Sequence, residues 1–513
     1  MCAMFALLLL LLLLVDSCSK KTKVVVVGAG AAGYFSSITC GRRLAQAKVD
    51  YEIMILEQSS TTLNKVQISG GGRCNVCHNP LKGIPAIIKG YSRGSKELLS
   101  PFNKDFGPMQ TVDWFNKENV KLKVEEDDRV FPVTDSSQTI INALESAAAK
   151  AKVLVQCNSK VTAIHNDQQQ LIVEYMNEDN SKNISCDKII IATGSFRQSY
   201  NLLTRLGHTL IDPVPSLFSF KINDANLTSL SGVSHPYVGV RLVIPKDYAK
   251  GEHKHLLRGD NVVNSLSQIG PMLVTHQGLS GPAILKLSSY GARILHSLNY
   301  KFSIEINFFP TLSKEQIYDH LMEVRSTNPL RSVMRFFPSL PDAVLGGDMG
   351  VTSRSYESIP GLEIAKAKGT PAAIEEENNG SIHTLSKRLW QYLLTRVSHT
   401  KNIKVDSQTT WKQLTPSAVE AIANELTGGL YACDGRGQYR DEFVTAGGIP
   451  LKEVQFTSMQ SKVIENVHIA GELLDIDAIT GGYNFQSCWS TGYIAGVAVA
   501  DELIKKKSGK EAV

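Results

Sequence analysis

Three glycine-rich strings, widely separated along the chain, hold the residue types that grip a dinucleotide. Gly28-Ala29-Gly30-Ala-Ala-Gly33 follows directly on an apolar run at 23–27. Its glycines permit a tight turn, a close backbone approach to a pyrophosphate and close packing of the next helix, whose N-terminal N–H groups and dipole favour an anion. Glu57 stands 24 residues beyond Gly33, at the end of a second apolar run. A carboxylate there accepts hydrogen bonds from an adenosine ribose and repels a 2′-phosphate. The second string is Lys65-Val-Gln-Ile-Ser69-Gly70-Gly71-Gly-Arg73-Cys-Asn75. It combines backbone amides that a ligand can approach, an Arg73 fork that suits a phosphate, and Ser69 and Asn75 for orienting hydrogen bonds. The third lies toward the other end, where Gly471-Glu472 precedes Thr480-Gly481-Gly-Tyr-Asn484. Glu472 suits ribityl hydroxyls, and the glycines open an apolar helix whose N-terminus can face a pyrophosphate or an electron-rich ring.

These strings need elements to position them. Residues 23–27 read as a parallel strand buried on both faces, followed by a helix to about residue 47 and a second strand at 51–56. Strand, glycine turn, helix, strand and terminal acid in one short unit are far more specific than glycine spacing alone. Short strands at 153–156, 161–166, 171–175 and 188–191 read as an inserted β-meander, which leaves through Ile191-Ala-Thr193-Gly194. A further buried strand at 467–472 exits through Gly471, and 485–503 is helical. Both ends of the chain therefore meet in one sheet. The expected fold is α/β: a Rossmann-like domain from residues 22–210 and 446–505, interrupted by a mixed β-plus-helix insert at 211–445. Within the insert, 237–244 and 302–309 read as strands, 314–325 and 416–426 as helices, and the polar, acidic stretch 366–381 as an extended loop. A glycine string where further βαβ units would otherwise follow, with an acid and a second glycine turn near the C-terminus, points to FAD rather than NAD.

The strings SGGGRCN at 69–75 and AGELLDIDAITGGYN at 470–484 carry a family resemblance. With them go Arg129-Val-Phe-Pro132, Ala192-Thr-Gly194, Thr275-His-Gln-Gly-Leu-Ser-Gly-Pro282 and Val444-Thr-Ala-Gly-Gly448. Over roughly residues 23–500 the chain resembles a largely bacterial flavoprotein family, a Rossmann-like FAD domain interrupted by an insert, which contains aminoacetone oxidase and bile-acid-reducing proteins. The resemblance implies that Gly28, Gly30, Gly33, Glu57, Ser69, Gly70, Gly71, Arg73, Asn75, Gly471, Glu472, Gly481 and Asn484 contact or shape the FAD site. Ala29, Thr193 and Gly194 join them as expected cofactor-binding positions. No catalytic acid or base is implied, and because members act on different substrates the reaction does not transfer with the fold. The family usually has Thr after the CNV string, whereas this chain has Cys74-Asn-Val-Cys77-His78. CxxCH taken alone is a haem-attachment motif or a redox dithiol, but a haem here would collide with the flavin.

The expected function is an FAD-dependent oxidoreductase passing hydride between a small organic substrate and flavin. The sequence has no second strand, GxGxxG and helix unit, and Asp434-Gly-Arg-Gly437 lacks the preceding strand and the spacing. Two routes to reduced flavin stay open: direct oxidation of a substrate such as an amine, with discharge to oxygen, or transient NAD(P)H supporting reduction of an alkene or carbonyl. The alternative is a non-catalytic FAD-binding redox-sensing module in which Cys74 and Cys77 report oxidation. A net charge of +5 from 54 basic and 49 acidic residues, without an aromatic and basic cluster, argues against a nucleic-acid partner. The substrate is expected where the insert closes over the flavin ring. His276 reads as a structural histidine beside a Gly-Pro turn before it reads as a base. Tyr483 fits either packing or the flavin face. No metal site is assigned.

Residues 1–15 include eight consecutive leucines and no charge, a run of signal-peptide length and too short to span a bilayer comfortably. Residues 1–19 are thus a targeting segment, with a cleaved signal, a signal anchor and a mis-called start all open. Secretory-pathway or organelle targeting follows from that run. Against it, the seven cysteines beyond Cys2 and Cys18 are scattered as thiols are in a reducing compartment such as the cytoplasm. Sequons at Asn183, Asn226 and Asn379 do not decide between them. No stretch of the body approaches the ~20 apolar residues of a spanning helix.

Overall fold

The computed structural model describes residues 21–167, 170–178, 180–257, 265–336, 362–364, 385–401, 403–437 and 444–509. Residues 1–19, where a targeting segment is expected, and the acidic stretch 366–381 lie outside the described residues. The chain forms two compact units. Met1–Pro213, Glu357–Ala365 and Gly447–Val513 make the first, Val214–Tyr356 and Lys366–Ala446 the second.

The first unit is built on a seven-stranded sheet. Its order is Val454–Gln455, Gln460–Ser461, Val467–Ile469, Lys188–Ile191, Thr22–Val27, Tyr51–Leu56 and Val153–Gln156. The last five run parallel, with Val24 set between Lys188 and Ile53 and Val27 between Ile191 and Leu56. Val24 to Val27 and Ile189 to Ile191 are buried. Continuous β-branched runs suit a strand covered on both faces. The helices Ala31–Gln46 and Tyr483–Ser508, one from each end of the chain, lie against each other so closely that a Cβ on Gly496 would meet the Ser36 carbonyl at 2.4 Å.

The expected four-stranded meander is smaller than its sequence suggests. Ser159–Asp167, Gln170–Asn177 and Asn180–Cys186 form a three-stranded antiparallel sheet, while Val153–Gln156 and Lys188–Ile191 are strands of the main sheet. The burial pattern gives the reason: Gln170–Asn177 alternates, as a half-covered strand does, whereas Lys188–Ile191 is buried throughout. Leu362–Ile364 pairs in parallel with Leu122–Val124 and so belongs to the first unit, although it lies within 211–445.

The second unit has a six-stranded antiparallel sheet ordered Phe220–Lys221, Gly278–Ser280, Ser267–Thr275, Ser234–Val243, Lys301–Asn307 and Gly429–Asp434. Helices Lys314–Thr327 and Pro416–Gly428 stand where their sequences predict. Ser313 and Gln316 form a capping box at the first, and Thr415 caps the second ahead of Pro416. Among the described residues no helix is long and apolar enough to cross a membrane.

Candidate functional site

All three glycine strings fall in the first unit, and the first divides its labour among its glycines. Gly28 has φ +101°, donates its N–H to the Leu56 carbonyl at 2.9 Å, and would set a Cβ 2.6 Å from the Ala192 carbonyl oxygen. A Cβ on Gly33 would come within 1.9 Å of the Gly28 carbonyl oxygen. The packing of strand on helix thus requires both. Gly30 is different: its extended backbone suits any residue, and a Cβ there would meet nothing within 4 Å. It faces an open cradle at the N-terminus of the Ala31–Gln46 helix, whose first turn no side chain caps.

Glu57 closes one side of this cradle. Its Oε2 accepts from the Ala29 N–H at 2.8 Å and its Oε1 from the Ser59 N–H at 2.9 Å, which fixes the half-buried carboxylate against the glycine turn. A cavity of about 530 Å³ opens beside it, with Gly28, Glu57, Lys160, Thr162, Thr193 and Arg205 in its wall. Its volume falls within the ~300–1,000 Å³ of small-ligand sites. The Thr193 hydroxyl is buried and makes no hydrogen bond among the described residues. Buried polar groups are nearly always bonded, so this oxygen calls for a ligand partner.

The second string is docked on the first: the Leu63 N–H donates to the Ala29 carbonyl at 3.0 Å. It forms a short helix that breaks at Ser69, with Gly70 and Gly71 left-handed at φ +57° and +70°. Ser69 donates to the Val66 carbonyl at 2.9 Å. Arg73 departs from its expected phosphate. Its guanidinium donates to Glu125 at 2.7 Å and to Asp135 at 3.4 Å and lies 3.9 Å over the Phe131 ring. Lys65, to which sequence reasoning gave no role, pairs its ammonium with Glu472 and donates to the Ser195 hydroxyl at 3.1 Å.

The third string meets both others. Gly471 donates its N–H to the Thr491 hydroxyl at 3.0 Å, and Glu472 follows with its side chain only 14% exposed. Asn75, with its amide oriented to satisfy both neighbours, accepts from the Gly482 N–H at 2.9 Å and donates to the Cys77 carbonyl at 3.2 Å. Asn484 closes the turn ahead of the long helix by accepting from the Ala478 N–H at 3.1 Å and donating to the Ala478 carbonyl at 3.3 Å. Asn75 and Asn484 therefore shape the site through the backbone.

Tyr483 is a packing residue. It stacks on the His78 ring at 4.6 Å, and its carbonyl accepts from the Tyr91 hydroxyl at 2.6 Å. His78 Nδ1 lies 3.3 Å from the Gly481 carbonyl oxygen, and burial holds its pKa below the usual histidine range. His78 enters the site by this contact, a role that its place in CxxCH did not signal. Cys74 and Cys77 are both 0% exposed and both free thiols. Burial pushes Cys74 up to about 12 and Cys77 further in the same direction. Dithiol exchange and thioether formation both need an accessible sulfur and the former a thiolate, so CxxCH here is core packing. His276, in the second unit, is exposed in the turn between Ser267–Thr275 and Gly278–Ser280.

Known proteins resemble this chain along most of its length. The ribosomal RNA dihydrouridine synthase of Escherichia coli K12 is 24% identical over 494 residues, covering 94% of this chain and 98% of that protein. The 3-dehydro-bile acid delta(4,6)-reductase of Clostridium scindens is 22% identical over 486 residues, covering 93% and 98%. A 3-ketosteroid-delta4-(5alpha)-dehydrogenase from Rhodococcus jostii RHA1 superposes with a TM-score of 0.43 at 13% identity, over 94% of this chain and 98% of that one. The pattern of HI0933-like protein Rossmann domains matches residues 22–498, and the chain belongs to this FAD-binding family of oxidoreductases.

Proposed function

We propose that the chain is an FAD-dependent reductase that adds hydrogen across a carbon–carbon double bond conjugated to a carbonyl in a small organic molecule. One observation carries the choice of reduction over oxidation. Two of the curated relatives are named for unrelated molecules, a bile acid and a ribosomal uridine, yet both names describe saturation of such a bond.

The first unit's cradle fits FAD. Gly28, Gly30, Gly33 and the first-turn N–H groups of the Ala31–Gln46 helix would hold the pyrophosphate. Ala29 aims the Glu57 carboxylate for ribose hydroxyls, and Thr193 in the cavity wall would bond the adenosine end. Gly194, Gly471 and Glu472 would meet the ribityl chain. Gly70 and Gly71 keep the second string's backbone in its left-handed turn, and Gly481 with Asn484 sets the N-terminus of the long helix. FAD when bound and reduced by transient NAD(P)H would supply a hydride to one alkene carbon, with a proton from water completing the other. The protein's own part would be to align the two.

A ribosomal RNA substrate is the second reading, favoured by the dihydrouridine synthase match. The near-even charge balance places it second. The redox-sensing alternative loses its sensor, because Cys74 and Cys77 are buried and protonated. Seven free cysteines among the described residues suit a reducing compartment.

The test is an anaerobic visible spectrum of the full-length chain with FAD, before and after NADPH or NADH, followed by a 4,6-dienone steroid and mass analysis. Bleaching by a nicotinamide and a product heavier by one or two hydrogen pairs support the proposal. Bands that bleach with an amine and ignore both nicotinamides would overturn the reductase assignment, and dihydrouridine formed in ribosomal RNA without enone turnover would select the second reading. Failure to bind FAD would remove the cofactor itself.

A further inference from the structure

We infer that the Lys65 ammonium, and not the Arg73 guanidinium, is the side-chain cation that pairs with the pyrophosphate of FAD, exchanging Glu472 for phosphate when the cofactor binds. The inference rests on the FAD reading above and adds a residue to it.

Arg73 is the obvious candidate by type, since its fork matches a phosphate. The structure commits that fork elsewhere. Glu125 and Asp135 both accept from it, and Phe131 covers its plane. Turning it toward a phosphate would break three charge-assisted hydrogen bonds and a cation–π contact, leaving the half-buried Glu125 only the longer Arg129 pairing at 3.9 Å.

Lys65 stands where three segments converge. Two residues before it, Leu63 is bonded to the Ala29 carbonyl of the glycine turn. Its own ammonium reaches Ser195, just past Gly194 at the exit of Lys188–Ile191, and Glu472, just past Gly471 at the exit of Val467–Ile469. A Cβ on Gly194 would lie 3.8 Å from the same Glu472 oxygen. The Thr-Gly exit and the Gly-Glu exit thus meet at one ammonium, and the segment that carries it is anchored to the glycine turn through Leu63.

Charge balance favours a cation here. Glu57 is fixed on the glycine turn and Glu472 beside Gly194, so a dianionic pyrophosphate would enter between two carboxylates. The helix N-terminus supplies only about half a positive charge. Lys160 and Arg205 line the cavity beside Glu57, the part assigned above to the adenosine end, and Arg205 donates to the Thr162 carbonyl. The Lys65 side chain is 56% exposed, and its flexible stem allows the head to move from Glu472 to a phosphate oxygen. Release by Lys65 would in turn free Glu472 to accept ribityl hydroxyls, so one exchange arms both contacts.

The experiment titrates FAD and riboflavin into the full-length apoprotein and reads flavin fluorescence, at low and at physiological salt. Riboflavin carries the ring and ribityl chain without phosphates. Lys65→Met should weaken FAD by about tenfold or more, leave riboflavin within about twofold of native, and flatten the salt dependence of FAD binding, while Lys65→Arg restores most of the loss. Arg73→Met, normalised to its folded fraction by circular dichroism, should leave FAD affinity within about twofold. Native FAD affinity in Lys65→Met, an equal loss for FAD and riboflavin, or a phosphate-specific loss in Arg73→Met would each overturn the inference. A native chain that binds no FAD would instead overturn the functional reading beneath it.

Discussion

Replacing Gly30 with aspartate should separate cofactor binding from folding. Gly30 is the N-cap of the Ala31–Gln46 helix, with φ −87° and ψ −169°, a backbone conformation that any residue adopts, and its Cβ would meet nothing within 4 Å. Aspartate is among the best N-cap residues, and a negative charge at a helix N-terminus contributes about 0.3–1 kcal/mol. The apoprotein should therefore melt at or near the native temperature. A phosphate in the cradle meets the opposite effect. At about 4 Å and an effective dielectric of about 20, like unit charges repel by about 4 kcal/mol, close to a thousandfold in affinity. Gly33→Ala, three residues away, should do the reverse, because its methyl would fall 1.9 Å from the Gly28 carbonyl oxygen and the strand–helix turn could not close. Thermal melts by circular dichroism and FAD titration by fluorescence quenching read the two effects separately. A yellow Gly30→Asp holoprotein of native affinity would refute the placement of the phosphates. A Gly33→Ala protein with a native melt would refute the packing of the turn.

The thiols offer a second test. Cys74 and Cys77 should resist alkylation in the folded protein and react only after denaturation, as mass spectrometry would show, and Cys77→Thr should retain turnover. Rapid labelling of either in the native state would reopen the redox-sensing alternative. Acid should destabilise the fold through His468. Its side chain is fully buried and burial lowers its pKa, outweighing the Glu502 carboxylate 3.8 Å away. The unfolded chain takes up a proton below about pH 6.5 while the folded imidazole stays neutral, so stability present above that pH is lost as pH falls through it. His468→Leu should flatten this limb of a melting temperature against pH curve, and an unchanged limb would assign the effect to other groups. Finally, Trp489→Phe removes the indole donor that satisfies the Val76 carbonyl at 3.0 Å. It should cost about 1–3 kcal/mol in chemical denaturation, and a loss of under about 0.3 kcal/mol would mean that water takes the donor's place.

What could be read without coordinates was local. The strand Tyr51–Leu56, the helix that follows the first glycine turn and the helix Lys314–Thr327 stand where their residue patterns place them, because apolar periodicity and glycine turns act over a few residues. The tight turn at Gly28 and the close helix packing at Gly33 were legible for the same reason. The meander was misjudged because an apolar strand such as Lys188–Ile191 signals burial but not which sheet supplies it.

The chemistry of individual side chains was decided by tertiary packing. Arg73 has the right type for a phosphate, yet Glu125 and Asp135 reach it first. Cys74 and Cys77 have the spacing of a reactive pair, yet the fold removes both from water. Lys65 carries no motif signal, and its partner Glu472 lies 407 residues away. By itself the sequence determined the family, the backbone turns that can receive a dinucleotide and the acids that flank them. Only the tertiary structure decided which cation stands beside those acids and which thiols are inert, because a side chain's charge partners and solvent exposure depend on segments that the local chain does not encode.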